Sequence, residues 1–232
     1  LWYETNPSLG TILTERTIRS ELGKDQTDDN IQRLGLWLRY NQKSAISREE
    51  WHNYQLDTAP KLSGTPELFF GVKYARYTSN VAVAVKTSDG KIFVEAIDCR
   101  PVREGNGWII SYLRNPHARQ VTIDGANGQA VLESDMKDAG VKCKAVLPKV
   151  SEVVQASAQF EQSLFADKIC HAEQPALEQA VSNCEHRAIG SGGGFGYSSI
   201  MEGADISLLE SVVLAHWSCA NAKEKKKQKI SY

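Results

Sequence analysis

The hydrophobic pattern of the chain changes its period near residue 60, and this change most constrains the fold. Residues 57–67, DTAPKLSGTPE, are rich in Pro, Gly, Ser and Thr, a composition typical of a boundary between structural units. Before this segment apolar residues recur at helical spacing, whereas after it short β-branched and aromatic runs are separated by turn signals. We therefore predict a helical segment over residues 1–60 and a separate domain over residues 61–222.

The segment before the boundary is predicted to contain helices. Two of them are marked by apolar residues at helical spacing, which are Ile18, Leu22, Ile31, Leu34 and Leu38. A short third helix follows Ser47, because Ser47 with Glu50 three residues later forms the pattern of a capping box.

The domain after the boundary begins with three strand-like runs, which are ELFFGVKY, NVAVAVKT and KIFVEAIDC. A helix over residues 108–114, the strand QVTIDG, a helix over residues 127–140 and the strand KCKAVLP follow. This order predicts an antiparallel meander whose first strand gains parallel neighbours through helical crossovers. It is the order of a ribonuclease H-like α/β fold, with a mixed five-stranded sheet flanked by helices.

The rest of the domain is predicted to be mostly helical. The runs VSEVVQASAQFEQSLFADK and PALEQAVSNCEHR are amphipathic helices, and KICHA is a strand between them. A glycine-rich hairpin tip, GSGGGFG, leads to a last helix from Asp205 to about Ala220. Residues 223–232, KEKKKQKISY, form a basic tail.

Composition and termini exclude several classes of function. The 27 basic and 28 acidic residues leave a formal charge of −1, so any surface that attracts nucleic acid has to be local. Apolar runs such as 81–85 are far shorter than the roughly 20 residues that cross a membrane. The five cysteines never form a CxxC pair, which favours reduced thiols. The start, LWYETNPSLG, has no initiator methionine or secretory leader and indicates a piece of a longer protein.

Two carboxylates stand where the predicted fold would place ligands. Asp124 ends the fourth strand, where side chains project into the crevice of an open α/β sheet, although Asp-Gly is also a common turn pair. Asp205 begins the last helix, where a plain helix cap is the alternative. Two carboxylates brought together repel each other unless a cation bridges them. Because oxygen ligands favour hard cations, we predict that Asp124 and Asp205 bind Mg²⁺ or Mn²⁺.

Several segments together resemble the C-terminal nuclease part of the large terminase subunit of tailed bacteriophages. The segments are ETNPSLG, LFFGVKY, VTIDG, ICHAEQPALEQAVSNCEHR and GADISLLESVVLAHW. The resemblance implies a metal-dependent endonuclease that cuts concatemeric double-stranded DNA in the host cytoplasm, with the portal protein and the small terminase subunit as partners. The ATPase phosphate loop GxxxxGK[ST] is absent, so residues 1–60 are expected to end the ATPase part and to hold no ATP site.

The resemblance also implies three carboxylates around two metal ions, on the first strand, the fourth strand and the last helix. Asp124 and Asp205 match the last two. The first strand instead reads Gly71-Val72-Lys73, and Asn80 stands where the second strand often begins with an acid. This departure makes Lys73 a candidate catalytic residue in its own right.

Three interpretations of Lys73 stay open. In the first, Lys73 is ion-paired with Asp124 and Asp205, the site binds at most one metal ion, and cleavage is weak or absent, as in a module that binds DNA and docks on the portal. In the second, the nuclease is active. Asp124 and Asp205 hold one ion with help from Asn80 or Glu202, and Lys73 takes the place of the missing cation at the scissile phosphate. In the third, another acid completes the set, the candidates being Glu95, Asp98 and Glu210. A Holliday-junction or transposase-like enzyme of the same fold is a further class.

Overall fold

The structure is a computed structural model that describes residues 44–222, which belong to one compact unit. The predicted helices between residues 14 and 38 and the basic tail lie outside the described residues. In chain order the elements are α1 (Arg48–His52), β1 (Leu68–Tyr74), β2 (Thr78–Lys86), β3 (Ile92–Pro101), a 3₁₀ turn (Val102–Glu104), α2 (Gly107–Leu113), β4 (Ala118–Asp124), α3 (Gln129–Asp138), β5 (Lys144–Val146), α4 (Val150–Phe165), β6 (Ile169–His171), α5 (Pro175–Ser182), β7 (Cys184–Ile189), β8 (Gly194–Ser199) and α6 (Ser207–Ala220).

The central sheet has the strand order β5-β4-β1-β2-β3-β6. Strands β1, β2 and β3 form an antiparallel meander, β4 pairs in parallel with β1, and β5 pairs in parallel with β4. The meander and the two crossovers predicted from the sequence are therefore present. The predicted capping box is also formed, since the Ser47 side chain accepts from the Glu50 amide and the Glu50 carboxylate accepts from the Ser47 amide.

Two details of the prediction are wrong. The sheet has six strands rather than five, because the predicted strand KICHA pairs in parallel with the edge of β3 as β6. The predicted helix PALEQAVSNCEHR ends at Ser182, and residues 184–189 instead form β7, which pairs with β8 in a separate hairpin. The glycine-rich run 190–193 joins these two strands, as a hairpin tip was expected to.

Each face of the sheet carries a hydrophobic core. Alternate residues of β1 point to opposite faces, so that Phe69 packs with α4, α5 and α6, whereas Phe70 packs with α2 and α3. No helix within residues 44–222 is both long and apolar enough to span a membrane.

Residues before the predicted boundary contribute to the first core. Ile46 and Trp51 are fully or almost fully buried there. The Trp51 ring stacks on His171 at a centroid distance of 4.0 Å, and both ring nitrogens of His171 lie within hydrogen-bond distance of backbone carbonyl oxygens. The division at residue 60 stays a prediction, but residues 44–56 pack with the sheet.

Helix α6 lies directly against the centre of the sheet at Gly71 of β1. A Cβ atom at Gly71 would stand 2.0 Å from the Ser211 carbonyl oxygen and 2.6 Å from the Ala215 amide nitrogen. Both neighbours are helix backbone, which has no freedom to move aside alone. The missing side chain at Gly71 therefore sets how closely α6 approaches β1.

We expect the substitution Gly71→Ala to lower the free energy of unfolding by about 1–3 kcal/mol or more, because a methyl group would push α6 off the sheet. Urea unfolding measures this change. Gly107→Ala is the matched control, since a Cβ atom at Gly107 meets nothing within 4 Å, and its effect should stay below about 1 kcal/mol. Equal stability of the two variants would show that α6 can shift without cost.

Candidate active site

Three charged side chains meet where β1 and β4 end beside α6. The Lys73 Nζ atom lies 2.6 Å from Asp124 Oδ2 and 3.3 Å from Glu210 Oε1. The three side chains are only 18–22% exposed. A single ammonium group thus bridges two carboxylates from different elements, and we call these three residues the ammonium cluster.

The pairing of the strands brings Lys73 and Asp124 together. The two residues are directly paired in the parallel register of β1 and β4, so their side chains leave the sheet on the same face. The chain turns sharply after Asp124, at Gly125, which has φ 113° and would place a Cβ atom 2.4 Å from the Tyr74 carbonyl oxygen. Only glycine fits this turn, which ends β4 with Asp124 at the sheet edge.

Glu210 reaches the cluster from the first turn of α6. It directly precedes Ser211, whose carbonyl oxygen faces Gly71, so the close approach of helix and strand also sets the position of Glu210. In the sequence Glu210 was one of three alternatives for the third acid. The signal that could have singled it out is that it is the one acidic residue in a helix, SLLESVVLAHWSCA, whose other residues are apolar or small apart from His216.

Asp205 lies near the cluster but bonds to other groups. Its Oδ2 atom accepts from the Thr78 hydroxyl at 2.7 Å, and its Oδ1 atom accepts from the Ser207 amide at 2.8 Å. Asp205 and Lys73 form no ion pair among the described salt bridges, so the structure brings Asp124 and Lys73 together but holds Asp205 apart at the start of α6. The catalytic and metal-binding roles of Lys73, Asp124 and Asp205 stay predictions.

The other candidates are scattered. Asn80 is buried opposite Lys73 in β2, and its amide donates to the Thr78 hydroxyl at 3.1 Å. Glu202 lies in an exposed turn, and Asp98 is paired with Arg100. Glu95 lines a groove on the opposite face of the sheet, with Leu68 and Phe70.

Electrostatic interactions within the cluster keep Lys73 charged. Burial lowers the pKa of Lys73, but Glu210 and Asp124 raise it by more, so the pKa lies above its ordinary value. Burial raises the pKa of the Glu210 carboxyl, and the opposing effect of Lys73 does not cancel this rise. The cluster therefore contains a lysine that stays protonated, beside the Glu210 carboxyl group, whose ionisation is costly.

A pocket of about 270 Å³ opens onto the cluster. Its walls come from the first turns of α4, from α6 and from the β7–β8 hairpin, which contributes Arg187 and Tyr197. Two contacts with Glu161 hold the hairpin against α4. The Tyr197 hydroxyl donates to Glu161 Oε1 at 3.1 Å, and His186 Nε2 lies 2.6 Å from the same oxygen. Arg187 also lowers the pKa of Glu210, though less than burial raises it. The pocket therefore presents two carboxylates and two cationic side chains to a ligand.

The donor set of the pocket fits one divalent cation but not two. Mg²⁺ commonly binds through one or two carboxylates and retains waters, and Asp124 with Glu210 supplies two. Within residues 44–222 no group of three His, Cys, Asp or Glu side chains could hold a metal ion. A divalent ion about 4 Å from the Lys73 ammonium is repelled by about 8 kcal/mol at an effective dielectric constant of about 20. Two carboxylates offset this for one ion, whereas a second ion would also be repelled by the first.

Solved structures with the same architecture come from viral terminases. The bacteriophage HK97 large terminase matches 94% of this chain with a TM-score of 0.60 at 13% identity, and this chain spans 53% of its length. The large terminase nuclease from thermophilic phage G20c matches 75% of this chain and 99% of its own, with a TM-score of 0.53 at 13% identity.

A third similar structure is a mutant nuclease domain of the large terminase subunit gp2 of bacterial virus Sf6 (TM-score 0.51, 13% identity, 76% of this chain and 99% of its own). The chain has the fold of the large terminase nuclease domains. The ribonuclease H-like class predicted from the sequence is thereby confirmed. No protein-family model and no curated protein matches the sequence.

The hydrogen bonds of Asp205 predict a pH-dependent contribution to stability. Burial raises the pKa of Asp205, but the bonds from Ser207 and Thr78 lower it by more, so that the folded pKa lies below the ordinary value of 3.8. A depressed carboxyl pKa contributes stability above the unfolded value and loses it as the pH falls through the folded value. We expect Asp205→Asn to lower the melting temperature by a constant amount from about pH 7 to about pH 5, and the difference to shrink below pH 3.8.

Thr78→Val is the companion variant, because it removes one of the two bonds to Asp205 and keeps its charge. In thermal melts Thr78→Val should lower the melting temperature over the same pH range, by part of the amount expected for Asp205→Asn. A difference between wild type and Asp205→Asn that grows on acidification would contradict this account.

Proposed function

We propose that the domain is the nuclease domain of a DNA-packaging terminase, and that it cuts double-stranded DNA by metal-assisted phosphodiester hydrolysis. The observation that carries this proposal is the ammonium cluster, which stands at the carboxyl ends of β1 and β4, facing a pocket, in a fold shared with terminase nucleases. Ligands of open α/β sheets bind at this edge.

The metal in this proposal is Mg²⁺ or Mn²⁺. The G20c nuclease has been solved with bound magnesium, and the Sf6 nuclease domain with manganese. Asp124 and Glu210 supply the carboxylate oxygens for one ion, and Asp205, predicted as a ligand from the sequence, stands near enough to Lys73 to be affected by its charge. A bound ion would activate water and stabilise the charge that develops on the phosphate.

The protein's own side chains position the DNA in this proposal. Lys73 donates from Nζ to an oxygen of the scissile phosphate, since its charge is held by the two carboxylates. Arg187 contacts the same or a neighbouring phosphate from the hairpin wall of the pocket. These contacts provide the local basic surface that the net charge of −1 requires.

The wider biological setting is part of the proposal. This chain spans about half the length of the HK97 large terminase. The resemblance to terminases implies that an ATPase part would belong to the same protein. By its resemblance to terminases, the domain would act on concatemeric viral DNA in the host cytoplasm, beside the portal protein and the small terminase subunit. Residues 1–60 would connect the domain to the ATPase part.

A second candidate function is favoured by one specific observation. Lys73 already forms ion pairs of 2.6 and 3.3 Å with Asp124 and Glu210. If a metal ion cannot compete with this ammonium, the domain binds DNA and docks on the portal without cutting. The two candidates differ in one measurable property, metal-dependent cleavage.

Cleavage of supercoiled plasmid tests the proposal. We expect nicking by the wild-type protein in Mg²⁺ or Mn²⁺ but not in EDTA. We expect a loss of at least about 100-fold in Asp124→Asn and Glu210→Gln, because each removes a carboxylate that would hold the metal ion and the Lys73 ammonium. The variant Asp205→Asn distinguishes the two possible roles of Asp205. If Asp205 binds the metal ion, cleavage should also fall by at least about 100-fold, whereas if it only caps α6, cleavage should fall by less than about tenfold.

Asp167→Asn is the matched control for these variants. Asp167 forms an ion pair with Lys91 at the surface, with its side chain 66% exposed, and its replacement should leave cleavage unchanged. Cleavage that survives in every carboxylate variant would come from a contaminating nuclease. Absence of cleavage in both metals would favour the second candidate.

A further inference from the structure

Lys73 differs from the surface lysines in the number of carboxylates it contacts and in its low solvent exposure. Lys91 and Lys137 each pair with one carboxylate, and at least one side chain of each pair is more than 60% exposed. Lys73 contacts two carboxylates and is 18% exposed. A charge enclosed in this way is screened little by solvent.

The position of Lys73 is set by the centre of the fold. It is paired with Asn80 of β2 on one side and with Asp124 of β4 on the other, so its backbone is held in the ladder of three strands. Two residues before it, Gly71 lies against α6 and fixes the helix that carries Glu210. The ammonium therefore stays between the same two carboxylates without depending on a loop.

The Lys73 ammonium contacts one oxygen of each carboxylate, Oδ2 of Asp124 and Oε1 of Glu210. Within residues 44–222 no ion pair with Lys73 uses the second oxygen of either residue, and both residues line the pocket. The Lys73 ammonium thus occupies the position of one cation in the cluster. The remaining oxygens of Asp124 and Glu210 are enough for a single further cation.

We propose that Lys73 is a built-in cation that replaces one metal ion of the site. One of the two carboxylate charges in the cluster is balanced before any metal binds, and the site takes no more than one divalent ion, through Asp124 and Glu210. This inference rests on the proposed nuclease site for its biological meaning, but it concerns the number of bound ions and not cleavage.

Counting bound Mn²⁺ tests the proposal directly. The protein is stripped with EDTA and dialysed, and free Mn²⁺ is followed by electron paramagnetic resonance during titration. We expect Lys73→Asp to bind one more Mn²⁺ per chain than the wild type, because a third carboxylate takes the place of the ammonium. We expect Lys73→Met to bind Mn²⁺ roughly tenfold more tightly, because the competing positive charge is gone.

Thermal melts give a second readout that does not depend on cleavage. In EDTA the melting temperature of Lys73→Met should fall, since two carboxylates are left without a cation, and Mn²⁺ should restore more of it than in the wild type. Lys91→Met is the matched control, because it removes a lysine from a surface ion pair, and both its Mn²⁺ count and its response to Mn²⁺ should equal those of the wild type.

Equal Mn²⁺ counts in the wild type and Lys73→Asp, with equal affinity in Lys73→Met, would overturn the proposal. If Lys73→Asp does not fold, the affinity and the melts of Lys73→Met decide the matter. Failure of the proposed nuclease function is seen separately, as an absence of plasmid cleavage, and it leaves the ion count of each variant unchanged.

Discussion

The contact between Gly71 and the backbone of α6 is the constraint on which the rest of the structure depends. A helix that meets a strand without an intervening side chain can place its own residues at the sheet edge. The contact positions Glu210 beside Lys73 and closes the core formed by β1, β2 and α6. One missing methyl group therefore links the packing of the domain to the chemistry of its pocket.

The electrostatics of the pocket follow from this packing. A lysine in a central strand is costly to bury unless carboxylates compensate it, and here one comes from the neighbouring strand and one from the helix. Their effect exceeds the effect of burial, so the pKa of Lys73 rises. The same arrangement leaves Glu210 harder to ionise than a free glutamic acid. The balance of charge in the pocket thus depends on all three residues, and replacing any one alters the other two.

The sequence was informative wherever local patterns decide structure. The period of the apolar residues and the turn signals predicted the meander, the crossovers and the Ser47 cap, and Asp124 was placed at the end of β4. It was misleading where distant contacts decide. Strand β7 is short and polar, and its pairing with β8 and the contact of His186 with Glu161 outweigh the helical pattern before it. Glu210 is the one acidic residue of α6, but the sequence does not reveal the rotation of this helix, which is set by its contact with Gly71.

The size of the pocket has a consequence for the proposed reaction on duplex DNA. About 270 Å³ between the sheet edge, α4 and the β7–β8 hairpin accommodates one phosphodiester group with its immediate neighbours. The two strands of a duplex run in opposite directions, so a single pocket meets them in opposite polarity. Severing both strands would therefore take two separate events, either by one domain that releases and re-engages the duplex or by two domains related by a twofold axis across it.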